Sequence, residues 1–185
     1  MLHLAFTYLQ MMTLFAKIGW VDVAALILIF WGVVAGVKRG LEVELPLFME
    51  IAIANFITFH YYQVLGDILR VKLSAPEGPA DLFSFLGIAV GSVLVLRLFF
   101  KLLGTIVSLK FMNAISRSGG AAAGALRFIL AFSLLSYFLL LLPLGFFQNS
   151  YTAERSWSGP FFAQTSEKFY HFVTYYLPFK LAKPA

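Results

Sequence analysis

Four long apolar stretches decide most of what this chain can become. They run over residues 20–37, 45–69, 82–109 and 120–147. Each is long enough for a helix that crosses the hydrocarbon core of a bilayer, which takes about 20 apolar residues. A soluble fold of 185 residues could not hide that surface. Apolar residues make up 61% of the chain and charged residues 12%, against roughly 45–50% and roughly 25% in soluble domains. The expectation is an all-α, polytopic membrane protein with four transmembrane helices in contact with the lipid bilayer. A cytosolic enzyme, a secreted disulfide scaffold and a disordered tail are excluded. Cysteine is absent, so disulfides, thiolate catalysis and Cys-based zinc sites are excluded as well.

The connections, 38–44, 70–81 and 110–119, are short. They predict one antiparallel bundle over residues 20–147 without a soluble domain. Ser74-Ala75-Pro76-Glu77-Gly78-Pro79 is the clearest break. Residues 1–19 read differently: His3, Thr7, Gln10, Thr13 and Lys17 recur every three or four positions among apolar neighbours. That pattern predicts an amphipathic helix in the membrane interface. A secretory signal is not expected, because a basic leader and a small-residue cleavage pattern are both missing. In the tail, 148–185, residues Phe162, Phe169, Phe172, Val173, Tyr176 and Leu177 share one helical face. This suits a second interfacial amphipathic helix, or equally a helix packed on the bundle. Basic residues are balanced between the two sides. Lys17, Arg70, Lys72 and Arg155 lie on one, and Lys38, Arg39, Lys110 and Arg117 on the other. The shorter loops favour the Lys38–Arg39 side as cytoplasmic.

Ionisable groups inside a bilayer are costly and point to function. Asp22 opens the first apolar stretch, either as an N-cap or as half of a buried ion pair with an arginine. Lys38 and Arg39 complement the negative end of the same helix, and Gly40 suits the left-handed residue that ends it. Glu42 and Glu44 precede Pro46 and complement the next helix. The whole reads as a tight charged corner, or else as a site for an anion or lipid headgroup. Gly32, Gly36 and Gly40 are spaced by four, as are Gly120 and Gly124, and small residues at that spacing let helices approach closely. Arg127, three residues beyond Gly124, then needs an acidic partner from Asp22, Glu44 or Glu50. The expectation is that Asp22 or Glu44 pairs with Arg39 or Arg127.

In the third stretch, Ser84, Gly87, Gly91, Arg97, Lys101, Gly104, Thr105 and Ser108 fall in one helical sector, together with Leu86 and Val90. That face either lines a water-filled path preferring anions, or packs its small residues while the cations snorkel. Glu50, Asn55, Thr58, His60 and Gln63 are spread around the second stretch, which predicts separate inter-helix hydrogen bonds. His60, beside Tyr61 and Tyr62, reads as an interfacial anchor. No hydrolase, metalloprotease or phosphate-loop motif is present. The histidines, at positions 3, 60 and 171, are scattered. No enzyme activity, metal, cofactor or nucleic-acid partner is therefore expected.

The residues now named resemble the CvpA (colicin V production protein) family of bacterial inner-membrane proteins. The match lies in Trp20-Val21-Asp22, the apolar run to Arg39-Gly40, Glu44, and His60-Tyr61-Tyr62. It continues in Gly120, Gly124 and Ala125-Leu126-Arg127, so residues 20–145 carry it. Residues 1–19 look like an extension relative to the family. Ser116-Arg117 stands where members often have an aspartate, and Phe128 where many have a second glycine. The resemblance implies a multi-pass inner-membrane protein tied to production or export of the toxin colicin V and to envelope robustness. It also implies a similarity to the membrane part of small mechanosensitive channels. Two mechanisms follow as expectations. One is a component of an oligomeric channel or transporter. The other is a non-conducting scaffold within a larger membrane complex.

Overall fold

The computed structural model describes residues 18–74, 76–106 and 113–176. The elements are α1 (Trp20–Arg39), α2 (Leu41–Leu73), α3 (Glu77–Ile106), α4 (Asn113–Leu141), the short α5 (Gly145–Ser150) and α6 (Gly159–Tyr176). The described residues contain no strand. The amphipathic helix expected over 1–19 lies, but for its last two residues, outside them. Three helices are long and apolar enough to cross a membrane: α1, α4, and α3 over Gly78–Leu103. The remaining long helix, α2, falls short on composition because Glu44, Glu50, Asn55, Thr58 and His60 interrupt its apolar run. All of those side chains are buried in the bundle.

Helix boundaries differ from the sequence expectation for identifiable reasons. The 38–44 connection shrinks to the single residue Gly40, which ends α1 and begins α2. Its φ is 77° and its ψ 167°. That is not the left-handed helical conformation expected but the extended mirror region open essentially to glycine alone. The Gly40 N–H donates to Gly36 O, and its carbonyl accepts from the Glu44 N–H at 3.1 Å. Helix α2 therefore starts at Leu41 and carries Pro46 inside its second turn. At the other end of the bundle, α4 stops at Leu141. Pro143 lacks an N–H and disfavours helical geometry in the residue before it, so the expected span to 147 is divided between α4 and α5.

Helices α1 and α4 make the broadest contact in the molecule. They run antiparallel, with Gly32 against Gly124 and Gly36 against Gly120. The contact is backbone on backbone. A Cβ on Gly32 would stand 2.6 Å from the Gly124 carbonyl oxygen, and one on Gly36 would fall on the Gly120 carbonyl. Helices α2 and α3 form an antiparallel hairpin, fastened at its turn by Arg70, which bridges Asp67 and Asp81. Further along, Phe59, Tyr62 and Phe85 pack with Tyr137 of α4. Helix α3 otherwise touches α4 little, leaving an apolar groove between them.

Helix α6 packs on the bundle. Phe162 is buried against Phe132, with ring centroids 4.8 Å apart. The Ser133 hydroxyl donates to the Phe162 carbonyl at 2.6 Å and accepts from the Ser166 N–H at 2.8 Å. The aromatic face expected from the sequence is split. Phe162 is buried while Phe172 and Tyr176 are exposed, and Leu177 lies outside the described residues. Docking follows Phe162, Ser166 and Tyr170 instead, one turn apart, because the bundle offers hydrogen-bond partners there. The glycine contact makes a sharp prediction. Gly124→Leu destabilises the protein by more than the about 1–3 kcal/mol of ordinary overpacking, since backbone blocks the new side chain. Gly91→Leu, which meets open space, leaves thermal unfolding in detergent unchanged.

Candidate functional site

The Gly40 corner delivers Arg39 and Glu44 to one end of the bundle, and the glycine contact brings Arg127 to the same place. Glu44 is 0% exposed. Its Oε1 accepts a hydrogen bond from Arg39 Nη1 at 3.4 Å, and its Oε2 lies 3.3 Å from Arg127 Nη1. The second pairing is electrostatic only, because Oε2 receives no hydrogen bond. The two arginines are unequal: the Arg39 side chain is 51% exposed and that of Arg127 13%. Arg127 also lies over the Phe128 ring, 4.8 Å from its centroid, which fixes the guanidinium further. Deeper along α2, Glu50 is 4% exposed. Glu50, Arg39, Arg97 and Arg127 line a cavity of about 350 Å³ between α1, α2, α3 and α4.

Asp22 forms a separate centre at the opposite end of α1. It is not the N-cap expected from the sequence; Gly19 is, and Asp22 sits at the third helical position. Its carboxylate turns back to accept the Gly19 N–H at 2.9 Å. It also accepts the Ser158 N–H and hydroxyl at 2.6 Å each, the Ser156 hydroxyl at 3.0 Å and the Trp157 N–H at 3.2 Å. The partners are hydroxyl and amide donors rather than an arginine, so the ion-pair reading of Asp22 is replaced by a hydrogen-bonded clasp. It ties the start of α1 to the turn that opens α6. Nearby, burial raises the Tyr151 phenol above its usual range against a weaker opposing pull from Ser136. It remains a neutral donor to the Ser136 hydroxyl at 3.0 Å.

The residues read as one polar face of α3 are dispersed. Ser84 is buried, and its hydroxyl has no hydrogen-bond partner. Gly87 and Gly91 face open space, but Phe83, Leu86, Val90 and Leu94 are exposed around them. Arg97 and Lys101 are exposed. The Gly104 and Thr105 side positions and Ser108 lie outside what is described. Of the α2 residues expected to hydrogen-bond between helices, Asn55 and His60 do so, whereas Thr58 donates to Ala54 O and Gln63 to Tyr62 within α2. Asn55 Nδ2 donates to the Ser166 hydroxyl at 2.7 Å. The Tyr62 and Tyr137 hydroxyls lie 3.1 Å apart, and Gln63 donates to Tyr62. His60, expected as an interfacial anchor, is buried, with Nδ1 3.1 Å from the Tyr170 hydroxyl and its ring stacked on Phe56. No group of His, Asp and Glu among the described residues could hold a metal ion.

Sequence reasoning missed the partners of Asp22 and the Asn55–Ser166–Ser133 chain. The serines at 156, 158 and 166 signal donors for an acidic or amide group, but spacing alone does not say which group, more than a hundred residues away, receives them.

Membrane-length apolar helices packed around a fully buried, arginine-held carboxylate define a helical membrane protein. The sequence model for the Colicin V production protein matches residues 21–167, and the chain belongs to that family. The match extends past residue 145 into α6, so it takes in the Ser156–Ser158 clasp. No curated protein and no solved structure gives a match.

Two predictions follow from this geometry. Arg127→Ala strips Glu44 of its buried partner, leaves it only the half-exposed Arg39, and costs about 3–5 kcal/mol. Arg39→Ala, at a half-exposed partner, costs about 1 kcal/mol or less. Thermal unfolding of the purified variants separates the two. Asp22→Ala releases the clasp, and hydrogen exchange should rise across 156–170 while the α1–α4 contact around Gly36 and Gly120 stays protected.

Proposed function

We propose that this chain is a multi-pass protein of the bacterial inner membrane that serves colicin V-type toxin production or export and envelope maintenance, as one component of an oligomeric transport assembly. Membership in the Colicin V production protein family supports the toxin-linked role. Four crossings are favoured by α2. At 33 residues it is roughly 50 Å long, and Glu44, Glu50, Asn55, Thr58 and His60 along its first two thirds are buried in the bundle. With α2 crossing, the arginine-held Glu44 sits near one membrane face and the Asp22 clasp near the other. Helix α6, docked beside the clasp with Phe161, Phe172, Tyr175 and Tyr176 exposed, is then an interfacial helix. Aromatic side chains favour that depth.

The observation that carries the oligomeric transport reading is the state of α3. Its partner within the chain is chiefly α2. Its other side leaves Gly87 and Gly91 uncovered, with Arg97 and Lys101 exposed on the same helix. The interior of one chain is filled by Phe59, Tyr62, Phe85 and Tyr137, so any path would run between copies. The second reading, a non-conducting scaffold, is favoured by the large apolar side chains interleaved on that face. These suit a protein or lipid surface better than a water path. Liposome flux, with and without membrane tension, decides between them. The transport reading predicts anion flux that falls in an Arg97→Ala/Lys101→Ala variant whose assembly is intact. Absence of flux from folded, inserted protein contradicts it and favours the scaffold.

A further inference from the structure

We propose that the cavity lined by Arg39, Glu50, Arg97 and Arg127 is the headgroup site for one anionic phospholipid, whose acyl chain lies in the apolar groove between α3 and α4. Three guanidinium groups, from α1, α3 and α4, line the cavity with one carboxylate, Glu50, and a second carboxylate, the fully buried Glu44, lies against Arg39 and Arg127. One positive charge is left over, which matches the single negative charge of a phosphodiester. Glu44 is already held by Arg39 and Arg127. Arg97 faces the Glu50 carboxylate across the cavity and interacts with it through charge alone, with no hydrogen bond among the described residues, and it stands on an apolar helix with Val95, Leu98 and Phe99 exposed around it. A guanidinium beside lipid chains is costly without an anionic partner. Its planar fork matches two phosphate oxygens better than an ammonium would. Basic pockets between membrane helices are recognised sites for phosphate headgroups.

The groove identifies the source of the phosphate as lipid rather than solution. It measures about 320 Å³ and is lined almost wholly by apolar side chains, among them Phe85, Leu86, Val90 and Phe138. Val93 and Ala131 line both the groove and the charged cavity. The two spaces therefore adjoin along the α3–α4 seam, charged at one end and apolar along the rest. A soluble anion would use only the first part. This assignment stands apart from the choice between transport and scaffold.

The test is lipid retention by the full-length protein. Purified protein exchanged into equimolar phosphatidylglycerol and phosphatidylcholine is examined by native mass spectrometry, with thermal unfolding as the check on folding. Wild type should keep one phosphatidylglycerol in preference to phosphatidylcholine. Arg97→Gln should weaken that retention about tenfold, the value of one charge-assisted hydrogen bond. Ala89→Phe, which fills the groove without touching an arginine, should weaken it as well. Lys72→Gln, an exposed cation at the far end of α2, should leave it unchanged. The proposal is overturned if the two lipids are kept equally, or if Lys72→Gln weakens retention as much as Arg97→Gln. Displacement of the lipid by millimolar inorganic phosphate with Ala89→Phe silent also overturns it, in favour of a free-anion site.

Discussion

The backbone contact between Gly32 and Gly36 of α1 and Gly120 and Gly124 of α4 is the constraint on which the rest of the structure depends. Lipid chains are as apolar as leucine, so the hydrophobic effect does not drive membrane helices together; close packing does. Absent side chains at these positions let two helices meet carbonyl to Cα. The register of that meeting then fixes where polar groups land. Arg127 lies one turn beyond Gly124, and Arg39 immediately precedes Gly40. Glu44 lies one turn into the helix that Gly40 opens. The Gly40 corner therefore sets Arg39 beside Glu44, and the glycine contact delivers Arg127 to the same carboxylate from a helix distant in sequence.

Burying Glu44 completely is tolerable only because of that delivery. An isolated carboxylate in a medium of low polarity costs many kcal/mol, and here two guanidinium groups and one hydrogen bond offset the cost. At the other end of α1, Asp22 solves the same problem with five hydrogen-bond donors in place of a cation. The two ends differ in character as a result. The Glu44 end retains a charged cavity and surplus cation capacity in Arg97. The Asp22 end is saturated and serves to hold α6 against the bundle.

Much of this was legible in the sequence. The helical class, the long helices and the glycine faces follow from apolar run length and spacing by four, and the rule that an intramembrane arginine needs an anion narrowed the partners of Arg39 and Arg127 to a few acids without choosing Glu44 among them. The family was legible too, from the ordered set Asp22, Arg39-Gly40, Glu44, Gly120, Gly124, Arg127. Other features were not. Helix ends moved because Gly40 joins two helices without a loop and Pro143 stops a third, both decided by backbone geometry. The partners of Asp22 were hidden because hydrogen bonding to backbone amides leaves no residue-type signature. The docking face of α6 was read in part: Phe162 is buried, but the contact continues through Ser166, a small polar residue, while Phe172 and Tyr176 are exposed. The polar face of α3, already read as shared with Leu86 and Val90, is divided further by burial, since Ser84 is enclosed while Arg97 and Lys101 are exposed.

The central claim is that the glycine contact positions the ion pair, and a double-mutant cycle between Gly124→Ala and Glu44→Gln tests it most directly. Unfolding free energies of the wild type, both single variants and the double variant are measured in one detergent. If the contact places Arg127 against Glu44, the effects are coupled by about 0.5–3 kcal/mol, as for residues in one network. Displacing α4 should then cost less once Glu44 carries no charge. Additive effects, within about 0.5 kcal/mol, would mean that the helix contact and the ion pair stand independently, and the account would be wrong at its base.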